Sequence, residues 1–117
     1  MTQRRTNAEY FLQEFSSDDR FILQKETGVS SWCGFSLILR EGERKTLINL
    51  LDEHKIETRP IVTGNFTKNT VMQHFDYQIH NNLTNADIID SQGFFLGNSH
   101  EDLTEQINFL KKVLNLF

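Results

Sequence analysis

"TRPIVTGNFTKN", residues Thr58 to Asn69, contains the only proline of a 117-residue chain and a Gly64-Asn65 pair of the kind that makes turns. Pro60 fixes its own φ and biases Thr58 and Arg59 toward extended backbone, so "IETRPIV", residues 56–62, reads as a strand. Having no N–H to give a ladder, Pro60 places that strand at the edge or the end of a sheet. The stretch is therefore a strand running into a tight turn, and the rest of the chain is read around it.

Upstream, "NAEYFLQEF" sets Ala8, Phe11, Leu12 and Phe15 at helical spacing, and Ser16 to Asp19 end that helix. "RFILQK" reads as a short strand and "ETGVSS" as a loop. "WCGFSLILR" alternates Phe35, Leu37 and Leu39 against Ser36, Ile38 and Arg40, the pattern of a half-buried strand. A second helix, starting just after Gly42, presents Leu47, Leu50, Leu51 and His54 on one face.

Downstream, Val71, Met72 and Phe75 suggest a short helix, "HNNLTN" a polar loop and "ADIIDS" one or two helical turns. "GFFLG" is a short apolar strand bracketed by Gly93 and Gly97. Leu103, Ile107, Leu110, Leu114 and Phe117 then form the stripe of a last helix, with Glu101-Asp102 and Lys111-Lys112 matching its dipole and Ser99 to Asp102 resembling a capping box. The fold class that follows is α+β, a single domain over residues 1–117 with helices covering one sheet.

Composition narrows function. With 38% hydrophobic and 24% charged residues the chain has globular proportions, and ten phenylalanines promise an aromatic core. A chain of this length buries roughly 65% of its unfolded surface. Cys33, the only cysteine, has no internal disulfide partner and reads as an inert buried thiol in a strand. No apolar run is long enough for a signal peptide or a membrane span, so a cytoplasmic address is expected. The net charge of −4, with no basic tract beyond Arg4-Arg5 and Lys111-Lys112, lacks a nucleic-acid footprint.

His54, His74, His80 and His100 match no zinc spacing, so no metal site is expected. His54 reads as a hydrogen-bonded packing residue, and His100 as a residue at a helix start, where backbone donors favour an anion. There is no Walker loop, no dinucleotide fingerprint and no nucleophile elbow, and no catalytic residue is assigned. Arg59 beside a rigid proline is suited to bidentate contact with phosphate or carboxylate, and Asn65 can offer donor and acceptor to a sugar hydroxyl. The competing reading is a surface ion pair of Arg59 with Glu57 and a positive-φ turn at Gly64-Asn65.

Taken together, Ser31-Trp32-Cys33-Gly34-Phe35, Thr58-Arg59-Pro60 followed by Gly64-Asn65, Asn85-Ala86-Asp87 and Gly93-Phe94-Phe95-Leu96-Gly97 resemble the DegT/DnrJ/EryC1/StrS family of pyridoxal-phosphate (PLP)-dependent sugar enzymes. Within it they are most similar to the nucleotide-4-keto-6-deoxysugar 3-dehydratases of lipopolysaccharide O-antigen synthesis. The resemblance covers the chain from about Arg4 onward and departs at "GNSHEDLT", where relatives commonly have Pro-Gly before Leu-Thr.

The resemblance implies the small C-terminal domain of the aspartate-aminotransferase type, without the large domain that carries PLP. It implies a nucleotide-linked sugar as ligand, held by Arg59 and the Gly64-Asn65 turn, with Trp32 and His100 as further candidates for the cleft wall. It also implies a homodimer in the full-length enzyme and no activity for this chain alone. The alternatives are a fragment of a sugar aminotransferase of the same family and a stand-alone nucleotide-sugar-binding or interaction module.

Overall fold

The computed structural model describes residues 2–117. Helix α1 spans Thr2–Phe15, a turn and a half more than the apolar pattern demands, because Gln3, Arg4 and Arg5 are good helix formers and are half-buried, Arg5 Nε donating to Ser30 O. Strand β1 (Phe21–Leu23), strand β2 (Gly34–Leu39) and helix α2 (Arg44–Glu53) follow. Two short 3-10 turns at Phe66–Lys68 and Thr70–His74 precede helix α3 (Thr84–Gln92), strand β3 (Gly93–Gly97) and helix α4 (Thr104–Leu114).

The three strands form one antiparallel sheet in the order β1-β2-β3. Register decides which side is wet. Phe21 opposite Leu39, Leu37 opposite Phe94 and Phe35 opposite Leu96 point to one face, and all six are buried. That face meets Ala8, Phe11 and Phe15 of α1, Leu47 and Leu51 of α2, and Ile107, Leu110, Val113 and Leu114 of α4 in a single core. The phenylalanines interlock there, Phe11 stacking on Phe35 with centroids 4.4 Å apart and tilting against Phe15 at 4.8 Å. The opposite face carries Ile22, Ser36, Ile38 and Phe95, none of them buried.

One buried polar residue locks α1 to the loop before α4. Asn7 donates through Nδ2 to Asn98 Oδ1, Ser99 O and Glu101 O, while its Oδ1 accepts from Leu103 N at 3.2 Å. Its full hydrogen-bonding capacity is used, which is what makes an asparagine tolerable at 2% exposure.

The sequence reading departs from the structure in four places. "IETRPIV" is not a strand: only Arg59 joins the sheet, through a pair of hydrogen bonds with Phe95, N to O at 2.9 Å and O from N at 2.7 Å. Pro60 ends the pairing at once, and the chain turns, with Gly64 N donating to Ile61 O. Cys33 is exposed and precedes β2, because Trp32 takes a φ of +50° and turns the chain into the strand. Ser99 and Asp102 make no reciprocal capping box. Instead Asp102 alone accepts from Thr104 N and Oγ1, at 2.9 and 2.6 Å, and Ser99 accepts from Glu101 N. His100 consequently lies four residues before the first residue of α4, exposed in a turn and away from the helix's free N–H groups.

Candidate functional site

The loop between Arg59 and Asn69 is fastened at both ends. At its start the Arg59–Phe95 bridge extends the sheet by one residue beyond β3. At its far end Asn65 is 5% exposed and fully engaged: Oδ1 accepts from Thr67 N and Thr67 Oγ1, and Nδ2 donates to Asp87 Oδ1 at 2.7 Å. Asn65 N also donates to Asp90 Oδ1 at 3.2 Å, and Lys68 Nζ lies 3.2 Å from Asp87 and 3.7 Å from Asp90. Two carboxylates one helical turn apart on α3 thus hold the loop.

Gly64 is what lets the loop come so close. It has a φ of +61°, and a Cβ there would collide with the Asp90 carboxylate and sit 2.9 Å from the Asp90 Cα. Ile61 packs over Gly93 in the same way, so the intervening Val62 is carried at a φ of +47°, an uncommon value for a β-branched residue. The hydrogen bond from Asn65, and then Lys68, hold the Asp87 carboxyl below its ordinary titration range, and Asp87 with Asp90 holds Lys68 above its own.

Arg59 is presented outward by this fixture. Its side chain is 74% exposed, and its one ion-pair partner among the described residues is Glu57, at 3.2 Å, itself an exposed residue. Such an exposed pair is worth about 0–1 kcal/mol. Arg59 forms part of two cavities. One, of about 420 Å³, is lined by Cys33, Glu57, Arg59, Phe95 and Gly97. The other, of about 410 Å³, includes Arg44, Lys45, Thr58, Arg59 and Pro60 and has no carboxylate in its wall.

The structure brings Arg59, Gly64 and Asn65 together on one loop and leaves Trp32 and His100 elsewhere. Trp32 is buried in the core, with its carbonyl accepting from Asn98 Nδ2. Its neighbour Cys33 is the residue that reaches the Arg59 cavity. Gly34 lies buried beneath this wall, and the Phe95 ring occupies the place its side chain would take. His54 is half-buried, and its Nδ1 donates to Leu50 O at 2.9 Å, the packing role its position suggested.

Sequence reasoning missed Arg44 and Lys45. Arg44 donates to Asp90 O and Gly93 O, at 2.6 and 2.9 Å, closing the end of α3 over β3. The signal was present: two cations with no acid in the first turn of α2 oppose the helix dipole and need another reason to be there. Asp87 and Asp90 were missed as loop anchors because side-chain hydrogen bonds across more than twenty residues leave no periodic trace.

All six lysines are exposed. Among the described residues no group of three or more His, Cys, Asp or Glu is set to hold a metal ion, and no helix is long and apolar enough to cross a membrane.

A three-stranded antiparallel sheet covered by helices is the α+β architecture of PLP-dependent aminotransferase-like proteins. The chain belongs to the DegT/DnrJ/EryC1/StrS aminotransferase family, whose model matches residues 1–113.

It is 49% identical over 115 residues to a GDP-4-keto-6-deoxy-D-mannose 3-dehydratase of Escherichia coli O55:H7, covering 95% of this chain and 30% of the relative. It is 33% identical over 92% of its length to the lipopolysaccharide biosynthesis protein RfbH of Salmonella typhimurium, covering 26% of that protein. The solved E. coli GDP-4-keto-6-deoxy-D-mannose-3-dehydratase with bound hydrated PLP superposes with a TM-score of 0.93 at 48% identity, over 97% of this chain and 30% of that one. The chain therefore spans less than a third of the length of these relatives.

Proposed function

We propose that this chain is the C-terminal substrate-cleft domain of a PLP-dependent nucleotide-4-keto-6-deoxyhexose 3-dehydratase acting in lipopolysaccharide O-antigen deoxysugar biosynthesis. It is inactive without the large domain that holds the cofactor, and the complete enzyme is a cytoplasmic homodimer. The observation that carries this reading is Arg59, an arginine with one weak partner, held outward by a loop pinned to α3 between two cavities. The likeness to the E. coli dehydratase, at 49% identity, supports a GDP-linked sugar as ligand.

In this reading the guanidinium of Arg59 binds the phosphates or the sugar oxygens, with its planar fork making paired charge-assisted hydrogen bonds. Gly64 and Asn65 fix the loop, so that little order has to be imposed when the ligand arrives. Trp32 and His100 act at the margin, Trp32 by aiming Cys33 and Gly34 at the cleft and His100 from an exposed turn. PLP, bound by the large domain, supplies the electron sink for loss of the C3 hydroxyl. This chain's part is to bind and orient the sugar nucleotide.

Titrating the isolated chain with a GDP-linked 6-deoxyhexose tests the reading. Chemical-shift changes confined to Arg59, Glu57, Cys33 and the Gly64 amide are expected. No change at millimolar ligand would count against a substrate-cleft role.

A further inference from the structure

We infer that residues 66–83 form an arm that docks on the part of the dehydratase polypeptide this chain does not span. From Phe66 to Gln92 no residue is buried, yet the stretch contains Phe75, Tyr77 and Ile79 at 59%, 49% and 53% exposure, with Phe66 and Val71 also exposed. Residues 76–82 make no backbone hydrogen bond to any other described residue. Exposed aromatic and aliphatic side chains on a stretch whose backbone is unpaired gain nothing from this course in water. The radius of gyration is 15.6 Å, against roughly 13 Å for a compact chain of this length.

The superposition on the E. coli dehydratase takes in 97% of this chain, so this course is compatible with a longer protein. The arm's root is held to α3 through Lys68, and whatever holds it beyond Asn69 lies outside these residues. Less than a third of that relative is accounted for by this chain, which leaves a polypeptide large enough to supply the surface. The arm's own chemistry selects the same kind of partner. Lys68 and Asp76 are its only residues charged at neutral pH, and they cancel, so it fits an apolar protein surface with free backbone groups rather than a phosphate-rich one.

This inference rests on the functional reading only for the identity of the partner. The test mixes the full chain with the complementary portion of the E. coli dehydratase, produced separately, and follows amide hydrogen exchange. Exchange at residues 70–83 should slow by about tenfold or more on mixing. The double variant Phe75→Ser, Tyr77→Ser should lose that protection while β2 amides stay unchanged. Exchange at 70–83 that does not respond overturns the inference, whether or not the two pieces associate. Protection that instead grows with the concentration of the chain alone overturns it in favour of a second copy.

A chimera joining the two pieces gives the same comparison without relying on the separated portion to fold. Sugar-nucleotide titration decides the functional reading independently: ligand binding with an unprotected arm discards only the docking, and a protected arm without ligand binding discards only the cleft role.

Discussion

Asn65 Nδ2 donates to Asp87 Oδ1 at 2.7 Å, tying the loop that follows Pro60 to a helix 22 residues further along the chain. The contact explains why a segment with a positive-φ valine and little buried side chain still has one defined shape. It also separates two roles on one loop, since the asparagine is occupied inward and Arg59 is left facing out.

The glycine beside it is the most sensitive point of this fixture. Gly64→Ala adds a Cβ into the Asp90 carboxylate at a φ of +61°, so the loop must lift off α3. A loss of about 1–3 kcal/mol is expected in denaturant unfolding. Hydrogen exchange should localise the change to residues 61–69, with β2 and α4 unaffected.

Acid should release the same fixture before the core unfolds. The folded-state pKa of Asp87 is depressed, first by Asn65 and then by Lys68, so its contribution is present above the ordinary aspartate value of 3.8 and is lost as pH falls through the lower folded value. Lys68, with its pKa raised, contributes at all pH values below its ordinary 10.5 and loses that contribution as pH rises through the folded value. Carbon-detected NMR titration of the Asp87 carboxyl is the check: Asn65→Ala should move its midpoint up, and more than Lys68→Met does.

Cys33 offers a reporter for the cavity it shares with Arg59. As an exposed thiol it should react with a disulfide reagent in the native state. A GDP-linked sugar seated at Arg59 should slow the reaction several-fold, whereas free guanosine, lacking phosphate, should not. Equal rates with and without the sugar nucleotide would place the ligand elsewhere.

Much of the architecture was legible in the residues because side-chain period announces it. The helical stripe from Leu103, the alternation of Phe35, Leu37 and Leu39, and the Gly-bracketed Phe94-Phe95-Leu96 each appear as helix or strand where expected. The strand expected at 56–62 shrank to one bridged residue because pairing depends on a neighbour, and Pro60 removes the donor just where a ladder would continue. Trp32 was read as part of a strand, but it precedes β2 at a φ of +50°, with its side chain buried and Cys33 exposed. Arg59 and Glu57 were legible as a pair, being two apart on extended backbone. The anchors Asp87 and Asp90 were not, since only the fold brings α3 beneath the loop.

The central claim is that Arg59 binds the sugar nucleotide, and kcat/KM for dehydration of GDP-4-keto-6-deoxy-D-mannose by the assembled enzyme measures it most directly. Removing a paired, charge-assisted contact costs about 1.5–3 kcal/mol, so Arg59→Ala should lower kcat/KM by roughly tenfold to more than a hundredfold, with Arg59→Lys recovering only part. An Arg59→Ala enzyme with unchanged kcat/KM and an intact fold would contradict the assignment.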